Sequence, residues 1–269
     1  MIVFPNGKIN LGLSVLNKRA DGFHNIKSIL YPVPIYDALE FQPSDQFSIE
    51  VFGIDIPGNT EDNILFKTWK LLHDDLQIPP INIKLLKGIP LGSGLGGGSS
   101  DAVFFLKSMN NYFELALPTE ILLDYAASLG SDCPFFIENV ASIVSGRGEI
   151  IEPLELSLEG MHIAVVCPEI AISTKEAFEE IATGKPEKHI KDIINEPIAD
   201  WQDKLLNNFE KTAFKKYPSL QKIKNTLLNA GAVYASLTGS GAAVYGLFRE
   251  SVHIKKYFPD EIVWEGILK

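Results

Sequence analysis

The stretch KINLGLSVL, Lys8 to Leu16, carries apolar residues at Ile9, Leu11, Leu13 and Val15, the period of two that a strand with one buried face requires. DALEFQ, FSIEVFGI and INIKLLKGI (from Ile81) are further strand-like pieces. Between the last two, NTEDNILFKTWKLLHDDL places Ile64, Leu65, Trp69, Leu71, Leu72 and Leu76 along a helical stripe. Its acidic opening suits a helix N-terminus. SSDAVFFLKSMNNYF predicts a helix with Ser99 or Ser100 as N-cap, and Thr119 to Leu129 predicts a shorter one. Next come a strand at ASIVSG, a central strand at MHIAVVCP and a helix at STKEAFEEI. PSLQKIKNTLLNAG predicts a helix closed by Gly231 as its C′ residue. VYASLTGSGAAVYGLF then reads as strand, glycine turn, strand. The best seam is IIEPLELSLEG, Ile150 to Gly160, which divides the chain into residues 1–153 and 154–269.

Composition narrows the class. The chain has 269 residues, 46% of them hydrophobic and 22% charged, which suits a globular protein with a sizeable core. A formal charge of −10 argues against nucleic-acid or anionic-membrane partners, while leaving room for a small basic pocket around a phosphate. Cys133 and Cys167 are the only cysteines, a usage that points to a reducing compartment. The N-terminal residues lack a signal-peptide pattern, and no apolar run approaches the roughly 20 residues that span a bilayer. The expectation is a cytoplasmic protein, monomeric or homodimeric.

The chemistry concentrates in IPLGSGLGGGSSDAVFFL, Ile89 to Leu106, with glycine at 92, 94, 96, 97 and 98. A helix N-terminus presents unpaired N–H groups and the positive end of the helix dipole. Glycines in front of it let an anion approach the backbone closely. A P-loop would need a lysine just before the helix, and none lies between Lys87 and Lys107. Gly92, Gly94 and Gly97 do match G-x-G-x-x-G, but a tract this rich in glycine satisfies many templates. Glu114, spaced to suit a ribose-binding acid, follows a helix end rather than a strand. The tract is a phosphate cradle of another type.

PLGSGLGGGSSDA resembles the P-x-G-x-G-L-G-S-S/G-G-S-S motif of the GHMP kinase superfamily. PNGKINLGL, Pro5 to Leu13, and LTGSGAAVYGLF, Leu237 to Phe248, resemble that superfamily's N-terminal and C-terminal motifs, in the expected order. RADGFHNI (Arg19 to Ile26), LGSDCPFFI (Leu129 to Ile137) and GRGE (Gly146 to Glu149) are similar to motifs of its branch acting on 4-diphosphocytidyl-2-C-methyl-D-erythritol. Gly7 stands where that branch usually has Ala, and Phe23 replaces the commoner Tyr.

The resemblance implies an α+β, two-domain GHMP kinase fold with the active site in the cleft between the domains, residues 1–153 binding nucleotide and 154–269 binding substrate. It implies transfer of the ATP γ-phosphoryl group to an alcohol of a cytidine-diphosphate-linked methylerythritol. Asp132 is then the catalytic aspartate, with Lys8 holding its carboxylate ionised and orienting the hydroxyl. Pro90, Leu91, Gly92, Ser93, Gly94, Leu95, Gly96, Gly97, Gly98, Ser99 and Ser100 form the ATP loop. Asn63 lies near adenine or, equally, caps a helix. Asn10, on the same strand face as Lys8, meets the acceptor substrate. Phe23 stacks on cytosine, His24 hydrogen-bonds it, and Phe178, sharing a helical face with Thr174, is the other side of the clamp or ordinary core. Gly239 lets the C-terminal loop approach substrate phosphates or the catalytic loop. Mg²⁺ is expected to arrive with ATP, with Ser99 or Ser100 as the available oxygens and no firm protein ligand.

Overall fold

A computed structural model describes residues 1–179, 181 and 190–269, with the backbone alone at Lys175. The strands are β1 (Ile2–Val3), β2 (Asn6–Lys18), β3 (His24–Tyr36), β4 (Ala38–Pro43), β5 (Ser48–Gly53), β6 (Ile81–Lys87), β7 (Ser142–Ser145), β8 (Ile150–Pro153), β9 (His162–Cys167), β10 (Tyr234–Leu237), β11 (Val244–Phe248) and β12 (Ile262–Ile267). They form three sheets. The α-helices are α1 (Ile64–Leu76), α2 (Gly97–Tyr112), α3 (Thr119–Leu129), α4 (Phe135–Glu138), α5 (Thr174–Glu179), α6 (Ile190–Ile194), α7 (Glu210–Lys216) and α8 (Pro218–Asn229).

The chain divides into two compact units, each assembled from separated segments. The first comprises Met1–Gly7, Ile35–Leu91 and Gly96–Val140. Its sheet has the order β1-β4-β6-β5, with β4 antiparallel and β5 parallel to β6. A parallel neighbour needs a crossover, and α1 supplies it between β5 and β6. Ile81, Ile83 and Leu85 of β6 are buried in alternation, as the period of two predicts. Phe41 of β4 meets Phe105 of α2 edge to face at 5.3 Å, joining sheet to helix.

The second unit comprises Lys8–Pro34, Gly92–Leu95 and Ala141–Lys269. It holds two four-stranded sheets, β2-β3-β7-β8 and β10-β11-β9-β12. β9 lies inside its sheet, as MHIAVVCP predicts. Leu220, Ile223 and Leu227 of α8 pack into one core with Val166, Leu237 and Val244. Gly231, at φ +101°, follows the C-cap Ala230 of α8 as expected.

Two local expectations change. The N-cap of α2 is Gly96, not Ser99 or Ser100, which fall in the first turn; no side-chain cap bond forms there. The reason is steric, because Gly96 adopts a left-handed φ of +73° where a serine is disfavoured. The acidic residues before α1 sit in a separate 3₁₀ turn, Thr60–Asp62, and none lies in the first turn of α1 itself. β3 has no counterpart in the sequence pattern, since Pro32 and Pro34 break its alternation. The end of the helix expected from STKEAFEEI, Glu180, lies outside the described residues. Among the described residues no helix is long and apolar enough to cross a membrane.

Candidate active site

In the second unit, three separated sequence motifs are tied together around Asn10. Lys8 and Asn10, two apart on β2, share a strand face, and Lys8 Nζ donates to Asn10 Oδ1 at 2.7 Å. The same oxygen accepts from the Gly239 N–H at 2.9 Å, while Asn10 Nδ2 donates to Ser28 Oγ at 2.9 Å. Thr238 Oγ1 accepts from the Asn10 N–H at 3.1 Å and donates to the Gly94 carbonyl at 3.1 Å. The Lys8 N–H donates to the Leu95 carbonyl at 2.8 Å. Lys8 and Asn10 are only 2% and 3% exposed. Buried polar groups of this kind are costly unless satisfied, so the network holds both loops to the strand.

Gly94 shows why glycine is required here. Its φ is +81°, and a Cβ built on it would lie 2.0 Å from the Thr238 carbonyl oxygen. The two glycine-bearing loops touch backbone to backbone. Ser93 is buried, and its carbonyl accepts from the Ala243 N–H at 3.0 Å. Gly92, also at positive φ, is exposed.

In the first unit, Pro90 and the exposed Leu91 follow β6, and Gly96–Ser100 open α2. A Cβ on Gly98, in the first turn of α2, would meet nothing within 4 Å, so the helix surface is open at that residue. Ser100 Oγ is buried without a hydrogen-bond partner. Ser99 hydrogen-bonds Cys133, whose thiol is nevertheless pushed up to about 12, first by burial and then by the Asp132 charge. Asp132 is half-buried in the turn between α3 and α4. Asn63 is the N-cap of α1, its side chain accepting from the Leu65 N–H at 2.9 Å.

The RADGFH segment is a hydrogen-bonded turn in the second unit. The Arg19 N–H donates to the Phe23 carbonyl at 2.7 Å, and the Phe23 N–H donates to Asp21 Oδ1 at 3.1 Å. Arg19 Nε pairs with Asp21 at 3.0 Å, and its Nη1 reaches Asn25 Oδ1 at 3.0 Å. Arg19 and Asp21 thus shape the turn that presents Phe23, which is 52% exposed. The Arg147 guanidinium lies 5.0 Å from that ring. Phe178 stacks on His24 at 5.2 Å and 18°, and packs edge to face on Phe209 at 4.9 Å. The exposed Thr174 contacts Ser240 through hydroxyl oxygens 3.4 Å apart.

Thr238, Ser28 and Arg147 are site residues that sequence reasoning passed over. Thr238 sits inside the quoted LTGSG motif, so its signal is present. Arg147 likewise sits inside the quoted GRGE motif, whereas Ser28 carries no signal, because its role comes from a strand distant in sequence.

Residues 63–145 match the GHMP kinases N terminal domain, and residues 190–256 match the GHMP kinases C terminal domain. A 4-diphosphocytidyl-2-C-methyl-D-erythritol kinase of Parabacteroides distasonis is 43% identical over 270 residues, covering 100% of both chains. One from Bacteroides thetaiotaomicron is 48% identical over 252 residues, covering 92% of each. The crystal structure of a 4-(cytidine 5′-diphospho)-2C-methyl-D-erythritol kinase superposes with a TM-score of 0.85 at 26% identity, covering 100% of this chain and 99% of the other. With this fold, these motifs and this likeness along its whole length, the chain belongs to the 4-diphosphocytidyl-2-C-methyl-D-erythritol kinase family of the GHMP kinases.

Proposed function

We propose that this chain transfers the γ-phosphoryl group of ATP to the 2-hydroxyl of 4-diphosphocytidyl-2-C-methyl-D-erythritol, a step in the non-mevalonate route to isoprenoid precursors. The observation that carries this reading is the 43% identity over the full chain to a kinase of that name. In the reaction the hydroxyl oxygen bonds to the γ-phosphorus as the bond to the β,γ-bridging oxygen breaks and ADP leaves. Asp132 accepts the hydroxyl proton, and Lys8 orients the same hydroxyl.

The glycine loop from Pro90 to Ser100 receives the ATP phosphates on backbone N–H groups. Asn63, by capping the N-terminus of α1, shapes the adenine side. Mg²⁺ would enter with the nucleotide in this reading; the partnerless Ser100 hydroxyl, with Ser99 beside it, fits an oxygen ligand that would hold it, and the ion would supply neutralisation of phosphate charge. Phe23, His24 and Phe178 recognise cytosine, with Thr174, Asn10 and Gly239 on the remainder of the substrate. Within residues 1–153 the glycine loop and Asn63 serve the nucleotide, while Asn10, Phe23 and His24 join Thr174, Phe178 and Gly239 of residues 154–269 on the substrate, in the cytoplasm.

An ATP-consumption assay across candidate acceptors tests the reading. Turnover is expected with the cytidine diphosphate substrate; turnover with homoserine or mevalonate in its place, or nucleotide binding without any turnover, overturns it.

A further inference from the structure

β6 ends on a residue that its own pattern says should be apolar. Lys87 is in phase with the buried Ile81, Ile83 and Leu85, and its side chain has no exposure. Its ammonium pairs with Asp37 Oδ2 and donates to Asp101 Oδ2 at 3.0 Å. Asp37, between β3 and β4, uses its other oxygen to accept the Gly88 and Ile89 N–H groups at 2.6 and 2.8 Å. Asp101 stands in the second turn of α2, and its Oδ1 is buried without a partner. A Cβ on Gly97, the first residue of α2, would lie 2.8 Å from Lys87 Nζ. The ammonium therefore sits directly against the backbone that opens the helix.

Three ionisable side chains without solvent are an expensive way to fill a core. Taking the charged members of such a cluster out of water costs several kcal/mol each, and apolar residues of similar volume would hold the unit together as well. What an apolar cluster would not provide is direction. Asp37 fixes the two backbone groups just before Pro90, and Asp101 fixes the helix just after Ser100. One ammonium links them. Between these anchors lie five glycines, the residues with the most conformational freedom to lose when a ligand orders them.

We propose that Asp37, Lys87 and Asp101 are positioning residues for ATP, clamping both stems of the glycine loop so that its N–H groups are set before the phosphates arrive. This rests on the reading that the loop receives those phosphates. The clamp acts on the nucleotide and not on the acceptor, which separates it from a merely structural role.

Asp101 is the member to perturb. Burial, against the attraction of Lys87 and with the help of Asp37, holds its carboxyl well above the usual carboxylate range. Its replacement by an apolar side chain thus leaves the Asp37–Lys87 pair in place. Binding of N-methylanthraniloyl-ADP and of cytidine 5′-diphosphate is measured on the full chain, beside thermal melting. Asp101→Leu is expected to melt near wild type, to weaken the adenine nucleotide about tenfold or more, and to leave cytidine diphosphate within about twofold. Asp101→Asn, which keeps an oxygen for Lys87, is expected to restore nucleotide binding.

Unchanged nucleotide affinity in folded Asp101→Leu overturns the proposal, and so does equal weakening of both ligands or a failure of Asn to rescue. If Asp101→Leu does not fold, Asp101→Ala carries the same test. Failure of both to fold shows that the contact serves the fold and overturns the positioning role. Absence of adenine nucleotide binding in the wild type instead overturns the reading of the loop.

Discussion

Gly94→Ala tests the contact between the two glycine-bearing loops. The backbone there has φ +81°, which costs an L-residue about 1–2 kcal/mol. The new methyl would start 2.0 Å from the Thr238 carbonyl oxygen and 2.8 Å from its carbon. These neighbours are backbone atoms and cannot rotate away, so the loops must separate, at the roughly 1–3 kcal/mol typical of overpacking. The sum is about 2–5 kcal/mol, a large share of the about 5–15 kcal/mol that stabilises an ordinary domain. Urea unfolding should show a lower midpoint with unchanged slope, and ATP turnover should fall because Asn10, Thr238 and Gly239 move with the loop. Gly98→Ala is the control. Its Cβ would meet no atom within 4 Å, and alanine in a helix is favoured over glycine by up to about 1 kcal/mol. That variant should be at least as stable as the parent yet bind ATP more weakly, because its methyl enters the space assigned to phosphate. A loss below about 1 kcal/mol in Gly94→Ala would refute the steric argument. Unchanged ATP affinity in Gly98→Ala would refute the cradle.

Other expectations are separate from that one. Asp132→Asn should lower kcat by about 10²–10⁴-fold, the usual worth of a general base, and near-wild-type turnover would remove that role. Phe23→Ala should weaken cytidine diphosphate binding by about 1–3 kcal/mol, the worth of one base stacked on an aromatic ring, without loss of thermal stability because the ring is exposed. Unchanged affinity would assign that ring no contact with the base. Both thiols are pushed up to about 12, Cys133 by burial and then Asp132, Cys167 by burial and then Glu261. Native protein at pH 8 should therefore resist iodoacetamide until it is denatured; rapid native labelling would contradict their burial. Because these folded-state values lie above the roughly 8.5 of a free thiol, the stability they contribute is complete below that pH. It should be lost progressively as pH rises from there towards about 12, which alkaline unfolding can follow.

Much of the local structure was legible in the sequence. The alternation from Lys8 marks β2, Thr119–Leu129 is α3 to the residue, and Gly231 closes α8, since these signals come from side-chain period and capping chemistry alone. The motif order identified the family, because the backbone conformations at Gly94 and in the RADGFH turn are demanding enough to restrict residue type. Misreadings arose where neighbouring residues compete for one role. Two serines followed the glycines and looked like caps, but only a glycine takes the left-handed turn at position 96.

Tertiary structure decided which polar residues are buried together. INIKLLK placed Lys87 in the core phase of β6, yet sequence offers no partner for a buried ammonium, because Asp37 and Asp101 are 50 and 14 residues away. The two units are likewise built from separated segments, which a pattern read along the chain cannot assemble. Period, capping and turn chemistry depend on near neighbours and so can be read from sequence. Pairing of buried charges and contact between distant backbones depend on long-range packing, and they exist only once the chain has folded.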